Sequence, residues 1–101
     1  MAGMVETGIK PTVIAAIREA ARQHGVRRVW LFGSRARGEH RPKSDIDLAV
    51  SGGDKVRFQL DVDEEAPTLL QFDFVDMDEP ISQELRETVL REGIVLYEEI
   101  R

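Results

Sequence analysis

The stretch VWLFGSRARGEHRPKSDIDLAV, from Val29 to Val50, decides how this chain folds. It begins as a short apolar strand, Val29-Trp30-Leu31-Phe32, bounded by arginines before and glycine after, the pattern of a buried strand. Gly33 permits a turn or a close backbone approach that a Cβ would block. Ser34 is placed to cap a short helix through Arg35, Ala36 and Arg37, halted near Gly38. Glu39 to Lys43, with Pro42, is exposed loop, and Ser44 to Val50 is a second strand. Alternation there puts Asp45 and Asp47 on one face, Ile46 and Leu48 on the other.

Working outward, Val13, Ile14, Ile17, Ala20 and Ala21 recur at helical spacing, with Pro11 or Thr12 to start the helix and Gly25 to end it. On the other side, Val56, Phe58, Leu60 and Val62 alternate like a strand, yet Val56/Leu60 and Phe58/Val62 also pair at i,i+4. The helix is the reading adopted for 54–65, with Asp54 as its cap and Pro67 beyond its end. Leu69 to Met77 reads as a third strand, Phe72 and Phe74 facing one way and Gln71, Asp73 and Val75 the other. A turn at Asp78-Glu79-Pro80 leads to a helix carrying Ile81, Leu85, Val89 and Leu90, stopped by Gly93, and Ile94-Val95-Leu96-Tyr97 makes a short final strand. The order α-β-α-β-α-β-α-β implies an α/β or α+β sandwich with one sheet.

With 101 residues, 42% of them hydrophobic and 33% charged, the chain has the size and composition of one globular domain over 9–101, behind a flexible tail at 1–8. It contains no cysteine, which excludes disulfides and thiolate metal sites and suits a reducing cytoplasm. No apolar run approaches the roughly 18 residues of a membrane span. A net charge of −5 argues against nucleic acid as the principal substrate, because coating nucleic acid requires neutralising many phosphates. The basic residues concentrate before Ser44, around the Gly-Ser turn, while Asp and Glu dominate after it.

Two carboxylates at i and i+2 on one strand face repel each other unless a cation sits between them, and a hard ion such as Mg²⁺ is the natural occupant. The Gly33-Ser34 turn opening a helix offers backbone N–H groups and a hydroxyl to an anion, and the nearby Arg35, Arg37, Arg41 and Lys43 add positive charge. Singly, Asp-x-Asp is a common solvated strand end and Gly-Ser a common turn. Their order in one window between two apolar strands gives the parts of metal-assisted phosphoryl or nucleotidyl transfer. Arg35, Arg41 and Lys43 read at least as well as solvated loop residues, His24 and His40 as surface residues, and Trp30 as core.

The GSRARG and SDIDL blocks, in the context LFGSRARGEHRPKSDIDLAV, resemble the DNA polymerase β nucleotidyltransferase superfamily and its stand-alone minimal nucleotidyltransferase (MNT) branch. FDFVDMDEPISQELRETVLREGIVLYE is similar to the third strand, last helix and final strand of that branch. The resemblance implies a polymerase-β-like fold, a single mixed sheet with helices packed on it, and a third carboxylate on an adjacent strand. Asp73 and Asp76 compete for that place. Asp76 shares parity with Phe72 and Phe74, the expected core face, so Asp73 is preferred.

By the same resemblance, Asp45, Asp47 and Asp73 would hold two Mg²⁺ ions, with Asp73 also helping to activate the attacking hydroxyl. Gly33 and Ser34 would hold the triphosphate of ATP, and Arg37 and Ser44 would bind phosphate or order the site. The implied activity is transfer of NMP, AMP from ATP, onto an acceptor. A chain this short has no lobe to bind that acceptor, so a protein partner is expected, in a homo- or hetero-oligomer. The branch's usual partner is a helical HEPN-type toxin, which would make this chain an antitoxin acting as a protein adenylyltransferase. The competing expectation is a non-catalytic module that neutralises its partner by docking.

Overall fold

A computed structural model describes residues 6–100; Met1 to Val5 of the expected tail, and Arg101, lie outside the described residues. The elements run α1 (Pro11–Gln23), β1 (Arg28–Phe32), α2 (Ser34–Arg37), β2 (Ile46–Ser51), α3 (Lys55–Glu65), β3 (Phe72–Asp76), α4 (Gln83–Glu92) and β4 (Ile94–Glu98). The strands form one mixed sheet in the order β3-β2-β1-β4. β1 lies antiparallel to both β2 and β4, while β2 and β3 are parallel, joined through α3 as a parallel pair requires a crossover. The fold is therefore the single mixed sheet with helices packed on it that the sequence predicts.

The period of two in the strands sorts the side chains onto two covered faces. Val29, Leu31, Ile46, Leu48 and Val50 point to one face, where Val13, Ile17, Ala20 and Ala21 of α1 and Phe58 and Val62 of α3 close the main core. Trp30 and Ala49 point to the other, against Val89 of α4 and Met77. Trp30 is thus core, as expected, with the Arg28 guanidinium over its ring at 5.5 Å.

The ambiguous segment resolves through burial. A half-buried strand would bury Val56, Phe58, Leu60 and Val62 alike. Instead Phe58 and Val62 are fully buried while Val56 and Leu60 are 70% and 56% exposed, the two i,i+4 pairs lying on opposite sides of a helix. Asp54 caps it, its carboxylate accepting from the Arg57 N–H at 3.1 Å. The Phe58 ring meets Phe74 edge-on at 6.1 Å, and Phe72 and Phe74 stack, which fixes α3 over β3. At the far end of the sheet Asp78 accepts from both Lys55 Nζ and the Gly52 N–H at 2.7 Å, clamping α3 to the β2 and β3 ends.

Three local readings need correction. Ser34 is the first residue of α2 rather than its cap; Gly33 is the cap, and no side chain closes that end. β3 begins at Phe72, not Leu69, because Thr68 turns the chain: its N–H reaches Ala66 O and its hydroxyl accepts from the Leu70 N–H, leaving Leu69 fully exposed. Ser82, whose hydroxyl accepts from the Leu85 N–H, starts α4 at Gln83, and Leu90 points outward at 58% exposure. No helix among the described residues is long and apolar enough to cross a membrane.

The helical assignment of α3 makes unequal predictions for neighbouring apolar residues. Phe58→Ala should destabilise by about 3–5 kcal/mol in urea unfolding, as a vacated aromatic core site does, whereas Val56→Ala should stay within ~0.5 kcal/mol. Comparable losses at both positions would contradict the assignment.

Candidate active site

The site forms where the cover provided by α4 runs out. Asp47 lies on the face of β2 that carries Ala49, directly opposite Phe32 at the end of β1 and beside Asp73 in the parallel pairing with β3. Ala49 is fully buried, but Asp47 is half-buried and Asp73 exposed. Asp45 precedes the regular part of β2 and is exposed. One register thus brings Asp47 and Asp73 side by side, with Asp45 two residues upstream. Asp76, paired with Val50, goes elsewhere: its carboxylate accepts from the Asp78 N–H at 2.9 Å and lies 3.5 Å from Lys55 Nζ.

The electrostatics record this gathering of like charge. Burial pushes the Asp47 carboxyl above the usual carboxylate range, the charges of Asp73 and Asp45 push it further, and Arg37 pulls it part of the way back. Among the described residues no three carboxylate or imidazole side chains converge into a ready metal cage. A Mg²⁺ site is ordinarily completed by water and substrate phosphates rather than by protein alone. The oxygen donors, their mutual repulsion and the open side of the site suit a hard divalent cation.

The turn before α2 meets Asp47 directly. Gly33 has φ 77° and ψ −157°, a backbone region essentially confined to glycine. A Cβ at position 33 would collide with Asp47 Oδ2, so the missing side chain is what lets the turn and the carboxylate share this space. From there Ser34 opens α2, and Gly38, left-handed at φ 73°, closes it with its N–H on the Arg35 and Ser34 carbonyls. N–H groups in the first turn of a helix have no intrahelical acceptor and remain available to an anion.

Arg37 and Ser44 occupy the rim. Arg37 Nε donates to Glu39 at 2.6 Å, and its Nη1 lies 3.7 Å from Glu92 of α4. Ser44 Oγ accepts from the Arg41 N–H at 2.8 Å and its own N–H reaches Arg41 O, closing the turn that delivers Asp45. Of the histidines, His24 lies 3.0 Å from Asp61 of α3, and His40 packs near Gly8 with a buried, unpartnered Nδ1.

The residue that sequence reasoning missed is Arg35. Rather than a solvated loop residue it is a buried one, 1% exposed, donating to the backbone carbonyls of Thr7, Pro42 and Ser44. Nothing in the spacing of Arg35, Arg37 and Arg41 distinguishes it, because its partners lie in other segments.

Asp47 on β2, Asp73 beside it on the parallel strand β3 and the Gly33 turn against Asp47 make one carboxylate-lined corner of the sheet. The model of the polymerase beta nucleotidyltransferase family matches residues 15–101, and the chain belongs to that family. Among solved structures, one described as a minimal nucleotidyltransferase is 34% identical with a TM-score of 0.63, the match covering 80% of this chain and 86% of that one. A chain of a toxin–antitoxin crystal structure with AMP-PNP is 26% identical with a TM-score of 0.68, covering 85% and 73%. A chain of an MntA–HpeT toxin–antitoxin variant, at 24% identity and a TM-score of 0.67, shares the fold. No curated protein matches the chain.

Because its pKa is raised in the folded state, Asp47 contributes stability that is full below the unfolded value of about 3.9 and is lost as pH rises through the raised folded value. At neutral pH the ionised carboxylate opposes folding. Asp47→Asn should therefore raise Tm at pH 7 by roughly 2–4 °C, the scale of ~0.5–1 kcal/mol in a domain of this size, and the gain should vanish below about pH 4. Calorimetry at both pH values checks this, and a lower Tm for the variant at pH 7 would contradict it.

Proposed function

We propose that this protein is a Mg²⁺-dependent nucleotidyltransferase that moves AMP from ATP onto a partner protein, a HEPN-type toxin, and so acts as an antitoxin in the cytoplasm. The observation that carries this reading is the contact between Gly33 and Asp47, which sets a turn suited to phosphate against carboxylates suited to metal. The solved chains from toxin–antitoxin structures, one of them with AMP-PNP, support both the nucleotide and the protein partner.

In the proposed reaction a hydroxyl of the partner attacks the α-phosphorus of ATP. A new P–O bond forms, the bond to the β-phosphate oxygen breaks, and pyrophosphate leaves. Bound divalent cations, two in this reading, would neutralise the attacking and leaving oxygens. Asp45 and Asp47 would hold them together with Asp73, which also stands exposed where it can take up the hydroxyl proton. Gly33 and Ser34 would seat the triphosphate through backbone N–H groups and the Ser34 hydroxyl. Arg37 is positioned to exchange its carboxylate partners for phosphate oxygens, and Ser44 keeps the turn that presents Asp45.

The test is incubation of the purified chain with [α-³²P]ATP, Mg²⁺ and the product of the neighbouring reading frame. Label should transfer to that product, and fall by about 10²–10³-fold in Asp45→Ala and Asp47→Ala, the scale of losing a group that stabilises transition-state charge. Equal neutralisation of the partner by wild type and both variants, without label, would establish docking instead.

A further inference from the structure

Arg35 carries a charge into the interior, and among the described residues no carboxylate meets it. Its side chain is 1% exposed, and its donors spread over three backbone carbonyls: Nη1 to Thr7 O at 2.8 Å, Nη2 to Pro42 O at 3.2 Å, and Nε and Nη2 to Ser44 O at 3.1 and 2.9 Å. Burying a guanidinium is expensive, and holding it by neutral acceptors alone is a poor way to gain stability. What the arrangement provides is geometry. Two of the four bonds converge on one oxygen, and that oxygen belongs to the peptide group joining Ser44 to Asp45. The peptide group is planar, so fixing its oxygen also fixes the Asp45 N–H and the direction in which its Cα leaves.

We infer that Arg35 is a positioning residue that sets Asp45, and with it the start of β2, against the Gly33-Ser34 turn. This inference rests on the nucleotidyl-transfer reading above. Arg35 follows Ser34 directly on α2, so its backbone moves with the turn while its guanidinium grips the opposite wall of the site. The Ser44–Arg41 bonds shape the incoming loop internally; Arg35 ties that loop to α2. The bond to Thr7 O draws the segment before α1 into the same hub, and a Cβ on the adjacent Gly8 would press on Arg35 Nη1 and His40. A lysine cannot replace this fan, because its donors radiate from one nitrogen and cannot serve carbonyls on separate segments through a planar fork. Arg37, two residues on, does none of this; it stands at the surface between Glu39 and Glu92.

The test uses the full chain with Arg35→Lys and Arg35→Met, at a temperature where circular dichroism shows both folded. Mn²⁺ is the probe, its binding followed by electron paramagnetic resonance with AMP-PNP present, beside steady-state transfer and thermal midpoints. A positioning role predicts Mn²⁺ binding weakened ten- to a hundred-fold, about the effect of losing a group that orients a metal ligand. The KM for ATP should stay within about threefold while kcat falls, since the loss is in alignment rather than in nucleotide binding. Lowered thermal midpoints with Mn²⁺ affinity and kcat as in wild type would show Arg35 to be structural only and overturn the inference. So would failure of both variants to fold under any condition in which wild type folds. Failure of wild type itself to bind Mn²⁺ with the nucleotide would instead overturn the nucleotidyl-transfer reading, and this inference with it.

Discussion

The pairing of Asp47 with Asp73 across the parallel β2–β3 ladder is the constraint on which the rest of the structure depends. Two carboxylates held side by side, with a third two residues upstream, would separate if the chain were free to let them. They are held because the same register puts Leu48 beside Phe74 and Ile46 beside Phe72 on the face that α1 and α3 bury. A slip of one residue would relieve the repulsion but would turn the core side chains of one strand toward the wrong face, so apolar packing outweighs the charge. Burial first, and then the charges of Asp73 and Asp45, hold the Asp47 carboxyl above the usual carboxylate range, and a cation placed among them would relieve that repulsion.

The two halves of the site come from different physics. The carboxylates are placed by the sheet, whose register is fixed by burial. The turn at Gly33 is placed by backbone geometry that only glycine adopts readily, and the loop between the two must be drawn in by something else. That task falls to Arg35, whose hydrogen bonds run almost entirely to main chain. Such bonds hold the loop by its main chain, and the side chains of Arg41 and Lys43 stay exposed.

How much of this the sequence reveals depends on where the deciding interaction lies. Strand parity is local, and it separates Asp73 from Asp76 before any coordinates: the structure sends the first to Asp47 and the second to Lys55. The element order is legible for the same reason, from Gly25, Pro67 and Gly93 as stops and from periodicity between them. Residues 54–65 satisfy both periods because every other residue from Val56 to Val62 is apolar, and only packing decides, by burying Phe58 and Val62 and leaving Val56 and Leu60 outside. Arg35 was out of reach because a basic residue in a basic loop looks solvated until its carbonyl partners, one of them 28 positions away in sequence, are brought to it. Leu69 misled in the opposite way: its hydrophobicity extends the strand pattern, but the Thr68 hydroxyl satisfies the Leu70 N–H locally and ends the pairing early.

In the proposed reaction Asp45, Asp47 and Asp73 together face the Gly33-Ser34 turn as one metal–nucleotide site. A crystal structure with Mn²⁺ and AMP-PNP, phased to locate the metal by anomalous scattering, tests it most directly. Anomalous peaks should be bounded by those three carboxylates, with the triphosphate on the Gly33-Ser34 turn. Nucleotide bound at saturation with the metal elsewhere, or phosphates away from that turn, would contradict it.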